Sequence, residues 1–252
     1  MADDKSYLPD PARILQIITF QEATAAAATA QTVSPPTFRI LRTNELDPYE
    51  KAKSHATIAA SAVALAGDDF GGSDRKKAKL SISNAPLENF DDLSALLDSL
   101  PSDAKMAKHV PKITTAPASD RVDEEKRNVS VKVWLYAASR ESDNDFHIIL
   151  GRDPAGPTRR YMNAEVSGLP PANNAAGPQL ATARNSFKAT VQQQTPGLGY
   201  DFYDPPIPLT VQGSLFFDMT HAKSSKKPGP SSAKPQTIWE IHPITSIASR
   251  TV

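Results

Sequence analysis

Cysteine is absent from this chain, which excludes disulfides, thiolate chemistry and cysteine-based zinc sites. No stretch approaches the ~18 apolar residues of a membrane span. The opening Met-Ala-Asp-Asp-Lys starts acidic and lacks an apolar run of signal-peptide length, so the expectation is a soluble, cytoplasmic protein with no membrane partner. Neither sign of charge dominates: 28 Lys and Arg stand against 28 Asp and Glu, and the basic bias of an electrostatic nucleic-acid binder is missing. Missing too are a Gly-x-Ser-x-Gly elbow, an HExxH helix and a CxxC pair, so no short motif names a reaction.

The chain has 252 residues, of which 39% are hydrophobic, somewhat below the usual ~45–50%. A sizeable core is expected, but not along the whole length. Asn128 divides an acidic first part (16 basic, 19 acidic residues) from a basic second part (12 basic, 9 acidic).

The first part carries weak signals. Ile14–Phe20 is a short apolar segment, and the alanine-rich Glu22–Gln31 predicts a marginal helix. Thr37–Arg42 alternates like a half-buried strand, and Asp47-Pro48 looks like the entry to a second alanine-rich helix, Ala52–Ala66. Gly67–Ser73 lacks the Gly-Lys-Ser/Thr ending of a P-loop and the spacing of a dinucleotide fingerprint, so it reads as a surface loop. Arg75-Lys76-Lys77 reads as a solvated face. Leu80–Ile82 predicts a short strand. Phe90, Leu93, Leu97 and Leu100 predict a helix over Pro86–Leu100. The polar stretch Ser102–Arg127 reads as a linker or extended arm. The resulting division is a mixed N-terminal region (1–101), a linker (102–127) and a C-terminal domain (128–252).

Residues 128–252 are better patterned. Strands are expected from Asn128, over Asp145–Leu150 and over Arg160–Val166, then an amphipathic helix over Leu180–Val191. The β-branched and aromatic runs Leu209–His221 and Thr237–Ile247 give two final strands. Between them Ala222–Gln236, rich in Lys, Ser, Pro and Gly, reads as a solvated loop. Gly213 suggests a bulge. The order β-β-β-α-β-β is that of an OB-fold, so the expected class is α+β, with a small five-stranded OB-like β-barrel in the C-terminal half. A generic α+β sandwich is the competing architecture.

The segments Asp143-Asn-Asp-Phe-His147, Gly213-Ser-Leu-Phe-Phe-Asp-Met-Thr-His221 and Trp239-Glu-Ile-His-Pro243, with Glu165, resemble a family of uncharacterised bacterial proteins carrying D-x-D-F/Y-H, G-x-x-x-F-F/D-x-x-H and W/L-E-I/L-H-P motifs. The resemblance implies a small barrel and no activity, so it assigns no residue a role.

Chemistry must come from residue types. His147, His221 and His242 fall in these motifs, with Asp145, Asp218, Glu165 and Glu240. Strand alternation puts Asp145 with His147 on one face, and Glu240 with His242 on one face. His147, His221 and His242 are candidate metal ligands backed by carboxylates. The whole set of His147, Asp145, Asp218, His221, Glu240 and His242 could also supply acid/base groups. The plainer reading, preferred from sequence, is that each histidine hydrogen-bonds a cross-strand carboxylate and locks register. No cofactor is then expected, with a divalent metal as the alternative.

Trp134, Tyr136, Phe146, Tyr161, Phe216 and Trp239 could form a stacking platform for single-stranded nucleic acid, or simply fill a core. Three function classes follow: a non-catalytic module binding a protein, peptide or saccharide; a metal-dependent hydrolase; and, not favoured by the neutral charge, a nucleic-acid binder.

Overall fold

A computed structural model describes residues 5–20, 37–49, 67–224 and 227–251. The helices expected over Glu22–Gln31 and Ala52–Ala66 lie outside these residues. Among those described, no helix is long and apolar enough to cross a membrane.

The strands are β1 (Ile14–Thr19), β2 (Arg39–Leu46), β3 (Leu87–Phe90), β4 (Asn128–Arg140), β5 (Phe146–Gly151), β6 (Tyr161–Val166), β7 (Gly199–Phe217) and β8 (Trp239–Ser249). The α-helices are α1 (Lys76–Lys79), α2 (Leu93–Asp98), α3 (Asp103–Ala107), α4 (Gly177–Thr190) and α5 (Met219–Ser224). Sheet order is β1-β2-β7-β8-β6-β5-β4-β3, and β7 also pairs with β4. β6 and β8 run parallel, as do β3 and β4, while the other pairs are antiparallel.

The expected five-stranded OB-like barrel confined to residues 128–252 is therefore corrected. The strands belong to one eight-stranded mixed sheet, and β1, β2 and β3 come from the first hundred residues. Alternation in Thr37–Arg42 reveals a strand, but not that it pairs with Gly199–Asp204 some 160 residues later. Pairing partners at that separation leave no local signature.

Other expectations also shift. Pro86–Leu100 splits into β3, which gains a ladder with Asn128–Val131, and α2, whose N-cap Asp92 accepts the Ser94 N–H at 2.6 Å. Leu80–Ile82 forms no strand. Arg75 is buried against Glu125 rather than solvated. Residues 102–127 lie against the sheet, burying Met106, Ile113, Arg121 and Glu125. The loop before β8 buries Pro228, Gly229, Pro230, Ala233 and Pro235, because a polar composition does not prevent burial once the backbone N–H groups find acceptors. Gly213 does sit at a register break with β8. A Cβ there would lie 2.4 Å from the Pro243 carbonyl oxygen, so only glycine permits this approach.

Alternation explains where the core lies. Val129, Val131, Val133 and Leu135 of β4, Phe146, Ile148 and Leu150 of β5, Met162, Ala164 and Val166 of β6, and Trp239 and Ile241 of β8 enter one apolar cluster together with Phe187 of α4. The opposite face of β5, β6 and β8 is just as buried. Beside Ile149 and Tyr161, which pack in a second apolar cluster, the side chains there are polar.

Candidate metal centre

Register builds this polar face. His147 on β5 stands directly opposite Glu165 on β6. Asn163, two residues earlier and hence on the same face, stands opposite Glu240 on β8. His242 follows Glu240 by two residues and joins the same side. Three adjacent strands thus present His147, Asn163, Glu165, Glu240 and His242, each no more than 1% exposed.

Loops close over them. Asp145 precedes β5 and accepts the Gly168 N–H at 2.7 Å. Asp218 follows β7 and caps α5, accepting N–H groups from Thr220 and His221 at 2.7 and 3.3 Å. The Nδ1 of His221, one turn into α5, contacts Asp218. Asp47 follows β2 and accepts from Tyr49 N–H (2.8 Å), Gly229 N–H (2.8 Å) and the Tyr200 hydroxyl (3.0 Å). From α1, Lys79 Nζ lies 3.5 Å from Glu165, 3.7 Å from Asp145 and 3.8 Å from Asp143.

The distances are short, yet many are not hydrogen bonds. His242 Nδ1 is 2.6 Å from Glu165 Oε2 and 3.7 Å from Glu240 Oε2, and its Nε2 is 3.6 Å from Asp145 Oδ2. Both ring nitrogens nevertheless lack a hydrogen-bond partner, as do Glu240 Oε2 and Asp145 Oδ2. His147 Nδ1 lies 3.0 Å from Glu141 Oε1 without hydrogen-bond alignment, and its Nε2 lies 3.2 Å from Glu165 Oε1 and contacts Asn163. Buried polar atoms are normally satisfied. Atoms that crowd together without bonding one another suit a set of ligands around a shared ion.

Electrostatics point the same way. Asp47, Glu141, Asp145, Glu165, Asp218 and Glu240 are all buried, and Lys79 is the cation of fixed charge among them. Burial, reinforced by Asp143, pushes the Asp145 carboxyl well above its usual range, and burial raises Glu141 to about 7 against the pull of His147. Burial also opposes charge on Glu165, but His242 and Lys79 overcome it and hold that carboxyl well below its usual range. In turn burial disfavours the His242 imidazolium, yet Glu165 carries its pKa up to about 9. The same carboxylates that favour a proton on each imidazole would favour a divalent cation in its place.

A pocket of ≈ 240 Å³ reaches the cluster, lined by Gly71, Gly72, Ser73, Lys79, Glu141, Glu165, Asp218 and His221 among others. The glycine-rich loop expected at the surface is thus part of the pocket wall. A Cβ on Gly72 would lie 2.5 Å from the Phe70 ring and 2.8 Å from Asp143 Oδ2, so a side chain there would displace that wall.

All seven residues singled out from sequence meet here, although His221 stands on a helix and not a strand. Sequence reasoning missed Asp47, Lys79, Glu141 and Asn163. Asn163 and Glu141 were within reach, being on the same face as Glu165 and just before the D-x-D-F-H motif. Asp47 and Lys79 carried no signal. The histidines do not gather on a single point: each belongs to a different group of candidate ligands. Of the six aromatics proposed for stacking, five are buried and Trp134 is half-buried beneath Arg250, so they present no platform. Compared with family models, curated proteins and solved structures, the chain matches none.

Proposed function

We propose that this protein is a divalent-metal-dependent hydrolase whose ion is held by the buried His/carboxylate cluster and faces the adjoining pocket. The observation that carries this reading is the convergence of His242, Asp145 and Glu165 atoms within 4.8 Å of one another, while both His242 nitrogens and Asp145 Oδ2 have no hydrogen-bond partner. A purely structural cluster would leave His242 Nε2 and Asp145 Oδ2 unsatisfied at a cost of about 1–3 kcal/mol each. A metal ion satisfies them together, and imidazole with carboxylate donors suits zinc, manganese or iron.

What favours catalysis over a closed structural ion is exposure. Glu165, Asp218 and His221 border the pocket, and catalytic ions keep a coordination position open to water or substrate. The test is elemental analysis of the full chain, purified without a histidine tag or chelator, together with turnover of bis(p-nitrophenyl) phosphate and p-nitrophenyl acetate across divalent metals. Expected are bound metal and metal-dependent turnover, with turnover lost and bound metal reduced in Glu165→Gln. Metal without turnover would restore the non-catalytic binding module as the better reading. No metal under any loading condition would end the proposal.

A further inference from the structure

Among the described residues, ligand atoms in the cluster fall into three groups: Asp145, Glu165 and His242; His147, Glu165 and Glu240; and Asp218, His221 and Glu240. The first and third share no residue, so six different side chains could fill both at once. The second group joins them through Glu165 and Glu240. Glu165 turns its oxygens to different histidines, Oε1 at 3.2 Å from His147 Nε2 and Oε2 at 2.6 Å from His242 Nδ1, as a carboxylate linking two centres would. Unsatisfied buried atoms occur in both outer groups: Asp145 Oδ2 and the His242 nitrogens in one, Glu240 Oε2 in the other. One ion in either group leaves the other unsatisfied.

The two outer groups also differ in access: two of the three ligands of one, Asp218 and His221, line the pocket, against Glu165 alone of the other.

Resting on the metal reading above, we infer that the centre is dinuclear. An inner ion is held by Asp145, Glu165 and His242 behind the pocket. An outer ion is held by Asp218, His221 and Glu240 at its floor, where it meets substrate. Two neighbouring ions can clamp both the attacking and the leaving oxygen of a displacement, the arrangement suited to phosphoester substrates.

The full chain, stripped with chelator and dialysed, is titrated with Mn²⁺ and read by bound-metal stoichiometry and by electron paramagnetic resonance. Expected are two Mn²⁺ per chain and an exchange-coupled signal. Asp218→Asn and His242→Gln, each checked for folding by circular dichroism, should each retain one Mn²⁺ and show an isolated-ion signal. One Mn²⁺ per wild-type chain, with no coupled signal, overturns the dinuclear inference and leaves a mononuclear hydrolase standing. Two ions that survive both substitutions also overturn it, by placing them elsewhere. No binding of Mn²⁺ or Zn²⁺ brings down both readings. The wild-type measurement decides the matter even if a variant fails to fold.

Discussion

Arg75 and Glu125 are buried as deeply as His147 and Glu165, yet the two regions are built in opposite ways. Around Arg75 nearly every charge is answered. Its guanidinium donates to both Glu125 oxygens at 2.7 and 2.8 Å and to the carbonyls of Phe217 and Asp120. Glu125 also accepts the N–H groups of Phe217 and Val122, each at 2.8 Å. Arg121 beside it donates to the carbonyls of Ala78, Ser81, Leu215 and His242. Among the described residues, only the two guanidinium Nε atoms lack a partner there. The His/carboxylate cluster instead has an excess of acid, and several of its buried atoms crowd without an aligned hydrogen bond. A buried ion pair that closes on itself ties loops to a sheet, whereas one left open has capacity for something else.

The largest effect that would break this contrast lies in the closed region. Arg75→Ala strands Glu125 and should cost about 3–5 kcal/mol, measured by urea denaturation and unchanged by chelator. A loss under ~1 kcal/mol would show that the pair is not structural.

Neighbours on β8 sharpen the comparison within one strand. Trp239 is fully buried and its Nε1–H donates to the Pro101 carbonyl at 2.8 Å, so Trp239→Ala should also cost about 3–5 kcal/mol. Glu240→Gln, one residue on but facing the cluster, should leave apo stability within ~1 kcal/mol while weakening metal binding, since removing a charge from an acid-rich site relieves repulsion. A melting curve for Glu240→Gln as depressed as that of Trp239→Ala would erase the distinction between the two faces.

Metal itself should then stabilise only the intact cluster. At a free concentration a hundred times Kd the gain is about 2.7 kcal/mol, seen as a rise in Tm that EDTA reverses. Because ligands must be deprotonated, this gain should shrink as pH falls. A metal-dependent Tm rise undiminished in Glu165→Gln would move the ions elsewhere.

The smallest effect belongs to a half-exposed pair that serves as a control. Burial opposes charge on Asp204, but Arg39 and Tyr7 hold its carboxyl below the ordinary value. The sign follows: stability from this group is present above its unfolded pKa and is lost as pH falls through its folded one. Arg39 is 44% exposed, so screening limits the contribution to about 0.2–1 kcal/mol. Asp204→Asn should flatten the acid limb of the stability profile by that much and leave metal binding untouched.

Much of the cluster was legible beforehand because alternation is local. The parity that puts Glu240 beside His242, and Asp145 beside His147, can be read from spacing alone. The neutral overall charge concealed the rest. Nine acidic residues follow Asn128, and Glu141, Asp143, Asp145, Glu165, Asp218 and Glu240 all border or fill one site, a concentration that composition averages away.

By itself the sequence determined the strands of the second half, the helix between them, the bulge at Gly213 and which face of each strand is polar, since these follow from side-chain period and backbone freedom. Only the tertiary structure decided that β6 lies parallel to β8, that three strands from the first hundred residues extend the sheet, and that Asp47 and Lys79 enter the cluster. Those outcomes depend on contacts between residues far apart in the chain, whose energies come from burying a shared surface and carry no periodic mark in either segment.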